Sequence, residues 1–160
     1  MRWRCMGLLT LLLTCVGTTA FAQTWPSRSI RVIIPFGAGS ATDLLPRIVF
    51  DQLSPQLGQP IVVENRTGAG GTLGVAVVAK ADPDGYTLLA HSNAHTVAPA
   101  IYANLSYDAA NDFAGIMPFG SLPNILVISP SKGIKTIQEL IAAAKAKPGT
   151  FNYASVGVGS

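Results

Sequence analysis

Ile30-Arg31-Val32-Ile33-Ile34-Pro35-Phe36-Gly37-Ala38-Gly39-Ser40-Ala41-Thr42-Asp43 passes from β-branched apolar residues to small ones and then to an acidic helix opener. A short apolar run of this kind suits a strand buried on both faces, as in a parallel sheet. Working outward, Thr42 to Gln56 carries Leu44, Leu45, Ile48, Val49 and Leu53 at helical spacing, with Pro46 tolerable near the helix start. Ile61-Val62-Val63 predicts a second strand, Gly71 to Lys80 a second helix, and Tyr86 to Ala90 a third strand after the Pro83-Asp84-Gly85 turn. A β-α-β-α-β series places the chain in the α/β class, with a parallel sheet and right-handed crossovers.

Beyond His91 the pattern loosens. Pro99, Asn104, Asp108 and Asn111 punctuate a stretch expected to hold a short helix followed by loop. Ile125 to Ser129 then predicts a strand, and Thr136-Ile137-Gln138-Glu139 a capping box opening a helix through Lys147, ended by Pro148-Gly149. Asn152-Tyr153-Ala154 predicts a last strand, and Ser155 to Ser160 the glycine loop that should open a further helix. With no helix following, the sequence is expected to be part of a longer chain. There is no internal repeat.

The first residues carry an address. Arg2 and Arg4 form a basic n-region, Gly7 to Val16 is almost wholly apolar, and Ala20-Phe21-Ala22 offers a small-x-small cleavage site. A signal peptide of residues 1–22 is expected, with the mature chain starting at Gln23 in the periplasm. The apolar run falls short of the ~20 residues that cross a bilayer. Both cysteines, Cys5 and Cys15, lie in this leader, so the mature chain has no disulfide and no thiolate metal site. Leu12-Leu13-Thr14-Cys15 fits a lipobox poorly, with Thr14 where Gly, Ala or Ser is usual. Removal of the leader leaves nine basic against eight acidic residues, a net charge of about +1, with no Lys/Arg cluster. No nucleic-acid partner is expected, and an anionic ligand would be held by oriented dipoles more than by a basic field.

In a parallel sheet, ligands bind outside the carboxyl ends of the strands. That rule selects the loops at 36–43, 65–72, 91–96 and 155–160. In the first, Phe36, Gly37, Ala38 and Gly39 let backbone N–H groups approach a ligand, Ser40 and Thr42 add hydroxyls, and the following helix points its positive end there. Asp43 is expected to favour the helix dipole or cap it, more than to touch a ligand. The glycines of the second loop serve phosphate binding or tight helix-to-sheet packing, with Arg66 expected to be solvated. His91 and His95 have metal-like spacing but no acidic residue at ligand distance, so Asn93, His95 and Thr96 are taken as polar groups at a strand end, Thr96 or Asn93 capping a short helix. No catalytic constellation is visible, and neither enzymatic activity nor a cofactor or metal is expected.

The series Trp25-Pro26-Ser27, Ile30 to Phe36, Ala38-Gly39, Thr42-Asp43, Gly58 to Arg66, Gly68-Ala69-Gly70-Gly71, Pro83 to Leu88 and Asn152 to Ser155 resembles the Bug-type receptors of tripartite tricarboxylate transporters. The resemblance implies a two-domain, type II periplasmic-binding fold that closes on a small carboxylate and delivers it to a membrane permease pair. By that resemblance, residues 23–124 form domain 1 and 125–160 the start of domain 2, the full-length protein being a monomer. It also implies a ligand pincer, with one arm at Phe36 to Thr42 and the other at Ser155, Gly157, Gly159 and Ser160, while residues 91–96 shape the remaining pocket. The sequence departs from the pattern at Ser40, where glycine is usual, at Pro46, where alanine is common, and in its length. Two other readings stay open. Gly37-x-Gly39 and Glu64 fit a Rossmann-type dinucleotide enzyme, although Thr42 stands at the third glycine. A receptor that senses a ligand for a membrane signalling partner would look the same.

Overall fold

The computed structural model describes residues 24–155. Strand β1 (Ile30–Ile34) lies at the centre of a three-stranded sheet in the order β2-β1-β3, with β2 (Ile61–Asn65) and β3 (Thr87–Leu89) both parallel to it. Ile33 sits opposite Glu64 on one side and Leu89 on the other. Ile30, Val32, Ile33 and Ile34 are essentially inaccessible, as expected of a strand covered on both faces.

Helix α1 (Ala41–Leu57) covers one face, where Phe50 and the half-buried Leu53 and Leu57 meet Ile30, Val32 and Ile34. Pro46 lies at its sixth residue, deeper than a first-turn proline, and its lack of an N–H leaves the Thr42 carbonyl without a helical donor. The helix ends where Gly58 turns left-handed and returns its N–H to the Pro55 carbonyl at 3.3 Å. Helix α2 (Thr72–Ala79) packs on the opposite face against β1 and β3, with Val75 fully buried. Gly74 permits that approach: a Cβ there would stand 2.6 Å from the Arg66 carbonyl oxygen and 3.1 Å from Pro35 Cβ.

Helix α3 (Ala94–Ile101) supplies the short helix expected after β3, and an irregular stretch follows. The expected strand at Ile125 to Ser129 does not form, and neither does the one at Asn152 to Ala154. Strands exist only as ladders, and no described strand pairs with either run. Val127 is 82% exposed and Tyr153 92%. Helix α4 (Ile137–Ala146) forms with its capping box intact: Glu139 donates its N–H to Thr136 Oγ1 at 3.2 Å, and its carboxylate accepts the Thr136 N–H at 3.3 Å.

Candidate functional site

The loop between β1 and α1 leaves the central strand at its carboxyl end, flanked by the equivalent ends of β2 and β3. Gly37, Ala38 and Gly39 are exposed there, and Gly39 turns the chain at φ +82°, a conformation that favours glycine. Ser40 occupies the N-cap position without a side-chain cap bond, because its hydroxyl pairs with Thr42 Oγ1 at 3.0 Å. The N–H groups of Ala41 and Thr42 open the helix and take no partner among the described residues, as helix geometry dictates. Two orphan donors, two hydroxyls and the positive end of a helix 17 residues long therefore converge at one sheet edge.

Gly39 does not present its own N–H outward. Asp43 Oδ2 accepts it at 2.8 Å, while Asp43 Oδ1 accepts from Arg47 Nε and Asn65 Nδ2, both at 2.9 Å. Asn65 completes the network, accepting from Arg47 Nη2 and donating to the Phe36 carbonyl, again at 2.9 Å each. Asp43 is 1% exposed, shielded by its own loop and Arg47. Arg47 first, and then the Asn65 and Gly39 donors, hold its carboxyl at about 2 against burial acting the other way. The expectation of a helix-favouring acid is met in this form: the carboxylate ties back to Gly39 from the third helical residue.

At the end of β3, His91 sets its ring edge-on to Phe36, with centroids 5.1 Å apart. Its Nδ1 lies 2.8 Å from the Ser92 N–H nitrogen and 3.1 Å from the Ser92 carbonyl oxygen, so Ser92 fixes the ring from that side. Burial pushes its pKa down to about 4, aided by His95, and the ring is neutral near pH 7. Nε2 faces the second glycine loop, 3.3 Å from where a Cβ on Gly71 would stand. His95 turns elsewhere. Its Nε2 donates to the Ala109 carbonyl at 2.9 Å and its ring packs on Tyr107 and Phe113, so it fastens the segment after α3 instead of facing the β1–α1 loop. Asn93 is exposed at the α3 N-cap position with no cap bond, and Ser92 Oγ takes the Ala94 N–H at 3.2 Å in its place. Thr96 does not cap either, donating its hydroxyl to the Asn93 carbonyl at 2.8 Å.

Phe36, Gly37, Ala38, Gly39, Ser40, Thr42 and Asp43 thus gather at one sheet edge; His95 adjoins it through the His91 ring, 5.6 Å between centroids, and Asn93 is exposed at the start of α3. Ser155 is described and exposed; Gly157, Gly159 and Ser160 lie outside the described residues, as do the leader and both cysteines. Sequence reasoning placed Asn65 and His91 only in candidate loops, without the contacts they make, and did not single out Arg47. The i, i+4 spacing of Asp43 and Arg47 could have pointed to Arg47. Glu64, the acidic residue of the dinucleotide reading, is taken up by Arg31 at 2.6 Å and by Arg66, and these two lower its pKa, Arg31 the more. Arg66 is therefore paired, not simply solvated. An open depression of about 540 Å³, lined by Thr96, Pro99, Tyr102, Leu105, Tyr107 and Asp108 among others, includes no residue of the glycine loops.

A family model described as the tripartite tricarboxylate transporter family receptor matches residues 45–160. A UPF0065 protein of Bordetella pertussis is 40% identical over 154 residues, covering 96% of this chain and 47% of that protein. Among solved structures, R. palustris Rpa4515 with adipate superposes with a TM-score of 0.79 at 32% identity, over 85% of this chain and 46% of that one. MatC from Rhodopseudomonas palustris with bound malate gives 0.51 at 39% identity, over 56% and 31%. The chain spans about half the length of the curated relatives it matches. The periplasmic binding protein BugD is a further structural neighbour, with a TM-score of 0.54 at 40% identity, and the α/β fold of this chain superposes on these proteins. By the family model over residues 45–160 and the identity to these relatives, the chain belongs to the tripartite tricarboxylate transporter receptor family.

Proposed function

We propose that this chain is the carboxylate-gripping part of an extracytoplasmic solute receptor. It takes a small dicarboxylate at the 36–42 loop, is exported with its leader cut after Ala22, and hands its ligand to membrane permease subunits. The observation that carries the reading is the array of unpartnered N–H groups at the start of α1, on the central strand of the sheet. Adipate and malate in the two structural relatives supply the ligand class, both being small dicarboxylates. Residues 155–160 are the second arm, and His91 replaces His95 as the ring that shapes the pocket wall.

The test is calorimetric titration of the protein expressed from its own gene with adipate, malate and NAD, unfolding being measured in parallel. Gly39→Asp puts a like charge and a side chain among the donors and should abolish dicarboxylate binding. Arg66→Ala should leave affinity within about threefold, because Arg66 is engaged by Glu64. Dicarboxylate binding lost in folded Arg66→Ala but kept in Gly39→Asp would move the site to the second loop. Binding of NAD alone would sink the receptor reading.

A further inference from the structure

We infer that Asp43, Arg47 and Asn65 form a charge-balanced clamp that sets the donors of the 36–42 loop, which makes them positioning residues for the carboxylate site proposed above, on which this inference rests. An ionised carboxylate inside a loop that is to receive another carboxylate is a contradiction unless its charge is cancelled. Like charges at such a distance disfavour each other strongly. Arg47 cancels it, its Nε lying 2.9 Å from Asp43 Oδ1, so the pair adds no net charge and the helix N-terminus alone attracts the anion.

The clamp also holds both ends of the loop. Asn65 grips the Phe36 carbonyl where the chain leaves the strand, and Asp43 grips the Gly39 N–H where it turns into the helix. Between these anchors lie Gly37 and Ala38, exposed and with no side chain long enough to fix them. Unclamped, such a segment would be ordered only at the expense of ligand affinity. Gly39 is thereby withdrawn from direct ligand contact while Ala41 and Thr42 stay available.

Two kinds of variant separate charge balance from packing. Arg47→Gln strands an ionised Asp43 beside the ligand, and adipate should bind about tenfold more weakly, the loss shrinking as salt is added. Adding Asp43→Asn to Arg47→Gln removes the stranded charge and should return affinity to within about threefold of the parent, a recovery that a packing defect would not show. Arg28→Gln, which breaks a surface ion pair with Asp84, is the control and should change nothing. A ligand-free arm uses amide exchange and the nitrogen–proton resonance of Gly39. That resonance should follow the Asp43 titration near pH 2, and Asn65→Ala should speed Gly39 exchange at unchanged unfolding temperature. If the parent binds neither adipate nor malate yet the Gly39 signals behave in this way, the clamp stands as a feature of the loop and the carboxylate assignment falls. If Asn65→Ala leaves Gly39 exchange unaltered, or the double variant binds adipate no better than Arg47→Gln, the clamp is overturned.

Discussion

Residues 30–34 and 125–129 are nearly the same kind of sequence, Ile-Arg-Val-Ile-Ile against Ile-Leu-Val-Ile-Ser, yet the first is the buried centre of a sheet and the second an exposed ribbon. Val32 is 0% exposed and Val127 82%. The difference lies in what stands beside them. Strand β1 has a parallel neighbour on each side and a helix on each face, whereas no described strand flanks residues 125–129. A β-branched run is thus a request for partners, answered by tertiary structure and not by the run itself. Helix α4 makes the opposite case in the same region. Its bonds are internal and its capping box is local, so it forms although none of its residues is buried.

The contrast breaks first under core truncation. Ile33→Ala should lower unfolding free energy by about 2–5 kcal/mol, while Val127→Ala should stay within about 0.5 kcal/mol, both read by denaturant melts. Comparable losses at the two positions would mean that residues 125–129 are packed in solution. Acid should act next, through His91 beside the sheet. His91 titrates at about 4 in the fold but near 6.5 in an unfolded chain, so the unfolded state takes up the proton first. The stabilisation is complete above pH 6.5 and is lost as pH falls toward 4. Melting temperature should drop over that window, and His91→Gln should flatten the drop. An unaltered pH profile in His91→Gln would show that the imidazole is not enclosed. The smallest effect belongs to Thr136→Ala, which removes the cap and should cost α4 about 1 kcal/mol, visible as faster amide exchange in residues 137–140 with the global melt unmoved. A shift of the global melt by that amount would couple α4 to the sheet.

What the sequence made legible follows the same division. The strands of the sheet, its helices, the capping box and the loop at 36–43 could be read because period, glycine placement and caps are local signals. Residues 125–129 and 152–154 were misread because ladder formation is not local. Within the site, the donors of the small-residue loop were legible. The role of Asn65 was not, since its amide reaches Phe36 and Asp43, 29 and 22 residues away in sequence. The rings that pack on His95, Tyr107 and Phe113, lie 12 and 18 residues on and were not legible either.

The locked state of the two titrating groups has an ecological side. An imidazole near its ordinary pKa would gain charge whenever its surroundings turned mildly acidic. Here Asp43 stays ionised down to about 2 and His91 stays neutral down to about 4. Across the range a living cell tolerates, the mouth of the loop therefore keeps one protonation pattern, and the carboxylate proposed to bind there would change charge before these two groups do.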